Sequence, residues 1–435
     1  MKKRFVGGLL AAVLTAGLCV PAQALGAAPS AAMWMGTKTA AEVVRSAVSQ
    51  QAKPGTGGSA LAFGDVERVV RAQNTSIKAF DQTLEGIGAT DVQDQFMQQY
   101  FNLESQIAQY QKQINDLDKS IRRLQEQDSE SNSALIRTLK AQKSALEASL
   151  AAAQSSYKDL EDSEDDADED LGYTYTSTER QLGNAADQIV MGAETAYISM
   201  HTLDNSVAEM QRNLAALDRS IAIVQTQINL GAATALDLLE LQTQRENLTA
   251  NIQTLENQRV NLQNNLSILC GYGANEKVEV GELPEVTEAQ IAAMDYDKDL
   301  ATALKNSYSI WAKEDAVEDA SRDYEDNVTN TLHAFEAAKI DLAAEKENVT
   351  NSFRQQFNSV KEKHTLLQAA ESAYTQESKN FAVKELQYQR GAISKNDYES
   401  AKDTLETAEQ AEKTARINLF TAYNTYKWAL RGVMS

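Results

Sequence analysis

A pair of unbroken apolar seams constrains the fold more than any other feature of this sequence. The first seam alternates steps of four and three residues and comprises Leu203, Val207, Met210, Leu214, Leu217, Ile221, Val224 and Ile228. The second follows a short break and comprises Leu238, Leu241, Leu248, Ile252, Leu255, Leu262, Leu266 and Leu269. This spacing is typical of coiled-coil helices, and two such helices joined by a short turn must fold back to bury both stripes. The sequence therefore predicts a long antiparallel helical hairpin.

The turn between these helices occurs twice in the chain. "LGAATALDLLELQ" at residues 230–242 is echoed by "RGAISKNDYESAK" at residues 390–402. Both copies have a glycine, a hydroxyl residue three positions later and an aspartate six positions later, which are Gly231, Thr234, Asp237 and Gly391, Ser394, Asp397. Glycine can end a helix in the left-handed conformation, the hydroxyl can cap the next helix, and aspartate suits its first turn. Helix ending alone explains these residue types and leaves open whether the tips have a further task.

The repeat extends well beyond the turn. In the second half we expect helices near residues 298–327, 335–389 and 395–430, and Asn306 and Ile310 echo Asn74 and Ile77 with one residue of slippage. Only four prolines occur in 435 residues, so long helices are permitted and turn-rich β architecture is disfavoured. The prediction is an elongated all-α protein made of helical hairpins and coiled coils in two homologous halves, with little or no β structure.

An additional hairpin is predicted in the first half only. Residues 94–160 contain two more apolar seams separated by the polar turn "DSESNS", and each arm would reach on the order of 45 Å. The run "EDSEDDADED" at residues 161–170 follows it. Such a run could collect calcium, but it lacks the glycine and the bidentate glutamate of a twelve-residue calcium loop. A solvated acidic loop is the favoured interpretation.

The remaining segments complete the predicted domain plan. Residues 1–24 have a basic start, an apolar run and a small-residue exit, which indicates a cleaved export signal. A lipoprotein signal would process at Cys19, but Leu18 is larger than that site requires; a retained anchor would need a longer apolar run. Residues 25–62 are predicted to be a flexible lead-in, 63–273 the first repeat, 274–296 a linker and 297–435 the second repeat.

Charge and composition exclude several functions. The formal net charge of −21 leaves no basic face for nucleic acid. After cleavage Cys270 is the only cysteine, so neither a disulfide nor a cysteine metal cluster is expected, and no cofactor is predicted. His201, His333 and His364 occur singly, and no phosphate loop or nucleophile elbow is present. The sequence therefore predicts a protein that is not an enzyme.

The duplicated tips, the opening around Asn74 and the return helices closing in "LCG" and "LRG" resemble the TolC family of outer-membrane efflux proteins. The resemblance covers most of residues 63–90 and 180–432. It implies that each long helix is paired by the helices before and after it, and that three protomers close a hollow helical barrel. It also implies an exported location in the cell envelope and an exported adaptor or pump bound at the hairpin tips.

One part of the family pattern is missing from this sequence. Members that form an outer-membrane pore carry a pair of strands between the first and second helices of each half, and such strands need about 9 to 11 alternating residues. Here only "GYTYTST" and "NVTNTLHAF" alternate, and neither could cross a bilayer twice. We therefore expect a relative that keeps the helical hairpins and lacks the membrane strands, and we do not expect it to insert into the membrane.

The resemblance also assigns a role to the tips. Family carboxylates six residues after each tip glycine lie near the constriction, which makes Asp237 and Asp397 candidate constriction residues. Glu240 is a third candidate, whereas Ser400 replaces the second carboxylate of the later tip. The resemblance implies an efflux or secretion conduit that acts with a pump and an adaptor. The alternative is a cell-surface coiled-coil spacer or adhesion protein that keeps the fold without transport.

Overall fold

The computed structural model describes residues 60–127, 130, 132–273, 276–325 and 328–434. After a 3-10 turn at Phe63–Asp65, the first half contains α1 (Val66–Gln73), α2 (Thr75–Gly88), α3 (Val92–Gln127), α4 (Ser133–Asn229) and α5 (Ala235–Leu269). A short α6 (Glu288–Ala292) lies between the halves. The second half contains α7 (Tyr296–Asn306), α8 (Tyr308–Arg322), α9 (Thr329–Gln389) and α10 (Lys395–Leu430).

The predicted all-α architecture is confirmed. Over the described ranges there is no strand, and the sole β-type pairing is an isolated bridge between Leu61 and Val280. Helix α4 has 97 residues and therefore spans about 145 Å, which makes the molecule elongated. Among the described helices, none combines the length and the apolarity that a membrane crossing requires. The predicted export signal at residues 1–24 lies outside the described residues.

The inserted hairpin consists of α3 and the N-terminal part of α4. Helix α9 has 61 residues, and with Gly231 aligned to Gly391 it corresponds to residues 169–229 of α4. The 36 residues of α4 that remain, 133–168, pack antiparallel against α3, which also has 36 residues. The insertion thus lengthens the long helix of the first half at the end opposite its tip.

Three local predictions are wrong. Residues 161–170 are helical rather than a loop, because Leu160, Ala167 and Leu171 continue the apolar spacing of α4 and direct most of the carboxylates to solvent. The two alternating stretches agree with the expected absence of membrane strands, because "GYTYTST" lies within α4 and most of "NVTNTLHAF" lies within α9. Leu61 lies within the predicted flexible lead-in, yet it is fully buried and its backbone bonds Glu279 and Gly281. The helix expected at 298–327 is divided at Ser307 into α7 and α8.

The return helices α5 and α10 end in the same way, although their sequences differ. Asn74 caps α2 by accepting the Ser76 N–H at 2.9 Å, while its Nδ2 donates to the Leu269 carbonyl at 2.9 Å. In the second half Asn306 Nδ2 donates to the Leu430 carbonyl at 2.9 Å, and Ser307 caps α8. In the second half, Asn306 bonds the end of the return helix and Ser307 caps the next helix, whereas Asn74 does both in the first half. This division accounts for the one-residue offset between the two halves.

The two hairpins lie side by side with both tips at the same end. Helix α5 packs on α4, α4 on α10, and α10 on α9. Arg219 of α4, twelve residues before Gly231, forms a salt bridge of 2.5 Å with Asp403 of α10, twelve residues after Gly391. Further from the tips, the buried Glu194 carboxylate of α4 accepts bonds of 2.7 Å from Asn424 and Trp428 of α10. These contacts fix the register between the hairpins.

Candidate functional site at the hairpin tips

Both tips have the same backbone structure. Gly231 and Gly391 adopt φ values of +74° and +73°, the left-handed region that glycine occupies without steric cost. The Ala232 N–H bonds the Gln227 carbonyl at 2.8 Å, and the Ala392 N–H bonds the Gln387 carbonyl at 2.8 Å. These are Schellman motifs, which satisfy the last carbonyls of α4 and α9. Both glycines therefore end their helices in the left-handed conformation that the sequence predicts.

A capping box starts the returning helix at each tip. The Asp237 carboxylate accepts the Thr234 backbone N–H and hydroxyl, both at 2.8 Å, while the Asp237 N–H bonds Thr234 Oγ1 at 3.3 Å. Ser394 and Asp397 form the same box, with the hydroxyl at 2.8 Å and the backbone N–H at 3.2 Å from the carboxylate. Each candidate aspartate is therefore held by its own cap residue.

These contacts lower the pKa of both aspartates. At Asp237 the main cause is the backbone N–H of Thr234, followed by its hydroxyl. At Asp397 the Ser394 hydroxyl contributes most, followed by the Ser394 N–H. Hydrogen bonds donated to a carboxylate favour its charged form. Both tips consequently carry a fixed negative charge at neutral pH.

The structure places the candidate carboxylates on solvent-exposed surface. Asp237, Glu240 and Asp397 are all exposed, and no described hydrogen bond or ion pair joins Glu240 to either aspartate. Asp237 and Asp397 lie on separate tips, and each carboxylate is bonded to the cap residue of its own helix. Ser400 is likewise exposed on the second tip.

The tips differ in their side chains, a feature that the sequence analysis missed. Leu230, Leu236 and Leu239 of the first tip are 78%, 72% and 57% exposed. The corresponding residues of the second tip are polar, namely Arg390, Asn396 and Glu399. The seam spacing marks Leu238 and Leu241 as packing residues and leaves Leu236 and Leu239 as additional leucines, so the signal was present in the sequence. The first tip therefore presents an apolar surface on the same backbone.

The histidines do not assemble a reactive site in the described part of the chain. His201 lies in α4 beside Tyr197, and burial lowers its pKa. His364 of α9 contacts Glu288 of α6 at 2.7 Å, which attaches the linker helix to the second hairpin. In the described ranges no three His, Cys, Asp or Glu side chains are grouped as a metal site.

Comparisons with known proteins find a distant similarity to solved structures of outer-membrane proteins. No protein-family model and no curated protein matches the chain. The solved structures that match include VceC of Vibrio cholerae (13% identity, TM-score 0.43, covering 61% of this chain and 75% of VceC). They also include CmeC of Campylobacter jejuni (12% identity, TM-score 0.39, covering 61% of this chain and 67% of CmeC). A membrane protein of Pseudomonas aeruginosa matches as well (14% identity, TM-score 0.42, covering 60% of this chain and 72% of that protein). VceC and CmeC are TolC-family outer-membrane channels, and these identities and TM-scores describe a distant likeness.

Proposed function

We propose that this protein is the conduit component of an envelope efflux or secretion system, and that it acts as a homotrimer whose tips bind an exported adaptor or pump. The observation that carries the proposal is the pair of matching hairpin tips held at one end of a side-by-side array of helices. A conduit built from hairpins needs all its tips at one end, so that together they can form an entrance.

The open edges of the array support assembly into a ring. In the tip half, α5 forms one edge and α9 the other, and both bear exposed apolar residues away from their intramolecular seams. Val260 and Ile268 on α5 are 40% and 66% exposed, and Val383 on α9 is 56% exposed. Packing the α5 edge of one protomer on the α9 edge of the next is a head-to-tail contact, which generates a ring when the rotation closes.

Within such a ring the tip aspartates would act together. Three copies of Asp237 and three of Asp397 would form rings of like charge at the entrance, and Glu240 would add a third ring one turn further along α5. Rings of carboxylates attract cations and make an entrance sensitive to ionic conditions. The exposed leucines of the first tip would provide the apolar part of the adaptor contact.

The mass of the purified protein in solution tests the proposal directly. At high ionic strength, light scattering should give three times the mass of one chain, and Val260→Glu with Val383→Glu should reduce it to the mass of one chain with the helical circular dichroism signal retained. A protein that stays monomeric at every concentration would contradict the ring. A second experiment tests the partner. If an adaptor is encoded beside the gene of this protein, the parent should capture it, and a variant with altered tip residues should not.

The inserted hairpin favours a second candidate function. Residues 92–168 lengthen the molecule by about 54 Å at the end away from the tips, as expected of a coiled-coil spacer or adhesion protein without transport. The neighbouring genes discriminate the two functions. A pump and an adaptor gene alongside support the conduit, whereas cell-wall anchoring genes support the spacer.

A further inference from the structure

The inserted hairpin, residues 92–168, has a strong charge asymmetry along its length. Residues 112–143, its distal half, contain seven Lys or Arg and five Asp or Glu. The proximal segments, residues 91–111 and 144–170, contain one lysine and thirteen Asp or Glu. Helix α3 packs on α4 through its seam, and its remaining surface faces solvent. The hairpin is therefore a projecting rod with a basic end and an acidic base.

Several charges at both ends have no salt bridge in the described part of the chain, although Lys119 pairs with Asp116 and Lys143 pairs with Asp118 and Glu147. Arg122, Arg123, Arg137 and Lys140 are exposed, and none of them has an ion pair in the described part of the chain, whereas Arg219, Arg245 and Arg259 of the body each bind an aspartate. In the described ranges no lysine or arginine pairs with residues 161–170 either. Arginine is the side chain best suited to paired contacts with carboxylates.

An exposed apolar pair lies in the acidic base. Met97 and Phe101 of α3 are 56% and 66% exposed and are separated by one helical turn. Arg122 follows Phe101 by 21 residues, which is three heptads, so both occupy the same face of this coiled-coil helix. The separation between them along α3 is about 32 Å. One face of the hairpin thus carries an aromatic ring at its acidic base and an arginine at its basic end.

We propose that the inserted hairpins of two copies of this chain pair antiparallel through this face. A two-fold axis midway between Phe101 and Arg122 places each Arg122 over Phe101 of the other copy and brings each basic end onto the acidic base of the other. The contact is isologous, because the same patch on both copies satisfies itself. A guanidinium over a phenyl ring forms a cation–π contact, and the surrounding carboxylates add charge pairing.

The chain itself indicates why a second copy is the occupant. The basic end and the acidic base are complementary surfaces, and one molecule carries both. A single two-fold rotation places Arg122 of each copy over Phe101 of the other. The pairing joins molecules at the end opposite the hairpin tips, so it is compatible with adaptor binding and does not depend on the conduit function. Because the pairing depends on attraction between a basic end and an acidic base, the association should weaken as salt screens that attraction.

Charge reversal provides the first test. Analytical ultracentrifugation at low ionic strength should show the assembly doubling in mass, and high salt should reverse it. The basic-end variant carries Arg122→Glu, Arg123→Glu, Arg137→Glu and Lys140→Glu. The acidic-base variant carries Glu161→Lys, Asp162→Lys, Asp165→Lys and Asp166→Lys. Each alone should lose association by on the order of 100-fold, and mixing the two should restore it. A control reverses four exposed lysines elsewhere and should associate like the parent: Lys277, Lys305, Lys379 and Lys395.

Engineered disulfides test the register. Phe101→Cys and Arg122→Cys in one chain are too far apart to bond within it, so oxidation should link two copies. Phe101→Cys with Ala108→Cys uses the same face in the wrong register and should not link. The native Cys270 is buried and burial raises its pKa to about 12, so the parent should stay unlinked. Equal linking of both pairs would overturn the proposed geometry.

A different occupant would also be recognised. The parent should not co-sediment with vesicles of anionic phospholipid beyond the level of the control variant. If it does co-sediment, and the basic-end variant does not, while the mass in solution is independent of salt, the basic end contacts a lipid surface and the pairing is refuted.

Discussion

The glycines at the tips and those at the ends of the return helices share one backbone conformation in two different environments. Gly231 and Gly391 have φ near +74°, and Gly271 and Gly432 have φ values of +70° and +82°. Around the tip glycines nothing lies within 4 Å of where a Cβ would be. A Cβ on Gly271 would lie 2.6 Å from the Gln73 carbonyl carbon, and one on Gly432 would lie 2.5 Å from the Ser307 nitrogen.

The difference separates two tasks within one repeat. The end of each return helix packs closely against the junction of two short helices: α5 against the junction of α1 and α2, and α10 against the junction of α7 and α8. This close packing limits which residues these positions tolerate. The tips need only end one helix and begin the next, which leaves their outward side chains free to differ. The apolar first tip and the polar second tip illustrate that freedom.

Alanine substitution of the glycines should give the largest contrast. Gly271→Ala combines a left-handed conformation, which costs about 1–2 kcal/mol, with displacement of the Gln73 backbone, and we expect a loss of about 3–5 kcal/mol. Gly231→Ala should lose only the conformational cost of about 1–2 kcal/mol. Urea unfolding followed by circular dichroism measures both. Equal losses would show that the packing at Gly271 adjusts freely.

The helix caps beside these glycines should give the next largest effect. Asn74→Ala removes a cap and a buried hydrogen bond together, so we expect a loss of about 2–3 kcal/mol. In the second half Asn306→Ala and Ser307→Ala should each lose about 1 kcal/mol, because each removes one of those contacts. The double variant Asn306→Ala with Ser307→Ala should match Asn74→Ala. A single second-half variant that costs as much as Asn74→Ala would refute the division of tasks.

Local sequence patterns predicted the helices and both tips, whereas contacts between distant segments decided what was missed. The apolar seam from Leu203 to Ile228 predicts a helix whatever that helix packs against. Ser307 is compatible with a helix interior, and only its packing against the end of α10 explains the break there. Repulsion between the like charges at 161–170 favours a loop locally, yet the packing of Leu160 and Leu171 keeps this run helical.

The same distinction applies to the candidate site. Gly231, Thr234 and Asp237 act on one another within six residues, so their geometry follows from the sequence. The register between the hairpins depends on Arg219 and Asp403, which are 184 residues apart and have no local signature. Exposure of Leu236 and Leu239 depends on which face of α5 packs against α4. Periodicity alone indicates that face only approximately.

The outward residues of the tips should affect partner binding without affecting stability. Giving the first tip the side chains of the second, by Leu230→Arg, Leu236→Asn and Leu239→Glu, should reduce adaptor capture at least about tenfold, because an apolar anchor is replaced by solvated groups. Thermal unfolding should be unchanged or slightly improved. The control, Glu399→Gln on the second tip, should capture normally. Unaltered capture by the triple variant would remove the apolar tip from the proposed interface.

The tip aspartates should give the smallest effect on folding and the clearest test of function. Because hydrogen bonds hold their folded pKa below the unfolded value, their contribution to stability is present above the unfolded pKa and is lost as pH falls through the folded pKa. Protection of the Thr234 and Ser394 amides from hydrogen exchange should therefore persist at neutral pH and decline only in acid below about pH 4. Asp237→Asn with Asp397→Asn should leave global unfolding nearly unchanged and remove that acid transition. If the aspartates also line an entrance, the same double variant should alter export in cells at neutral pH. Export equal to the parent, together with loss of the acid transition, would identify both residues as helix caps alone.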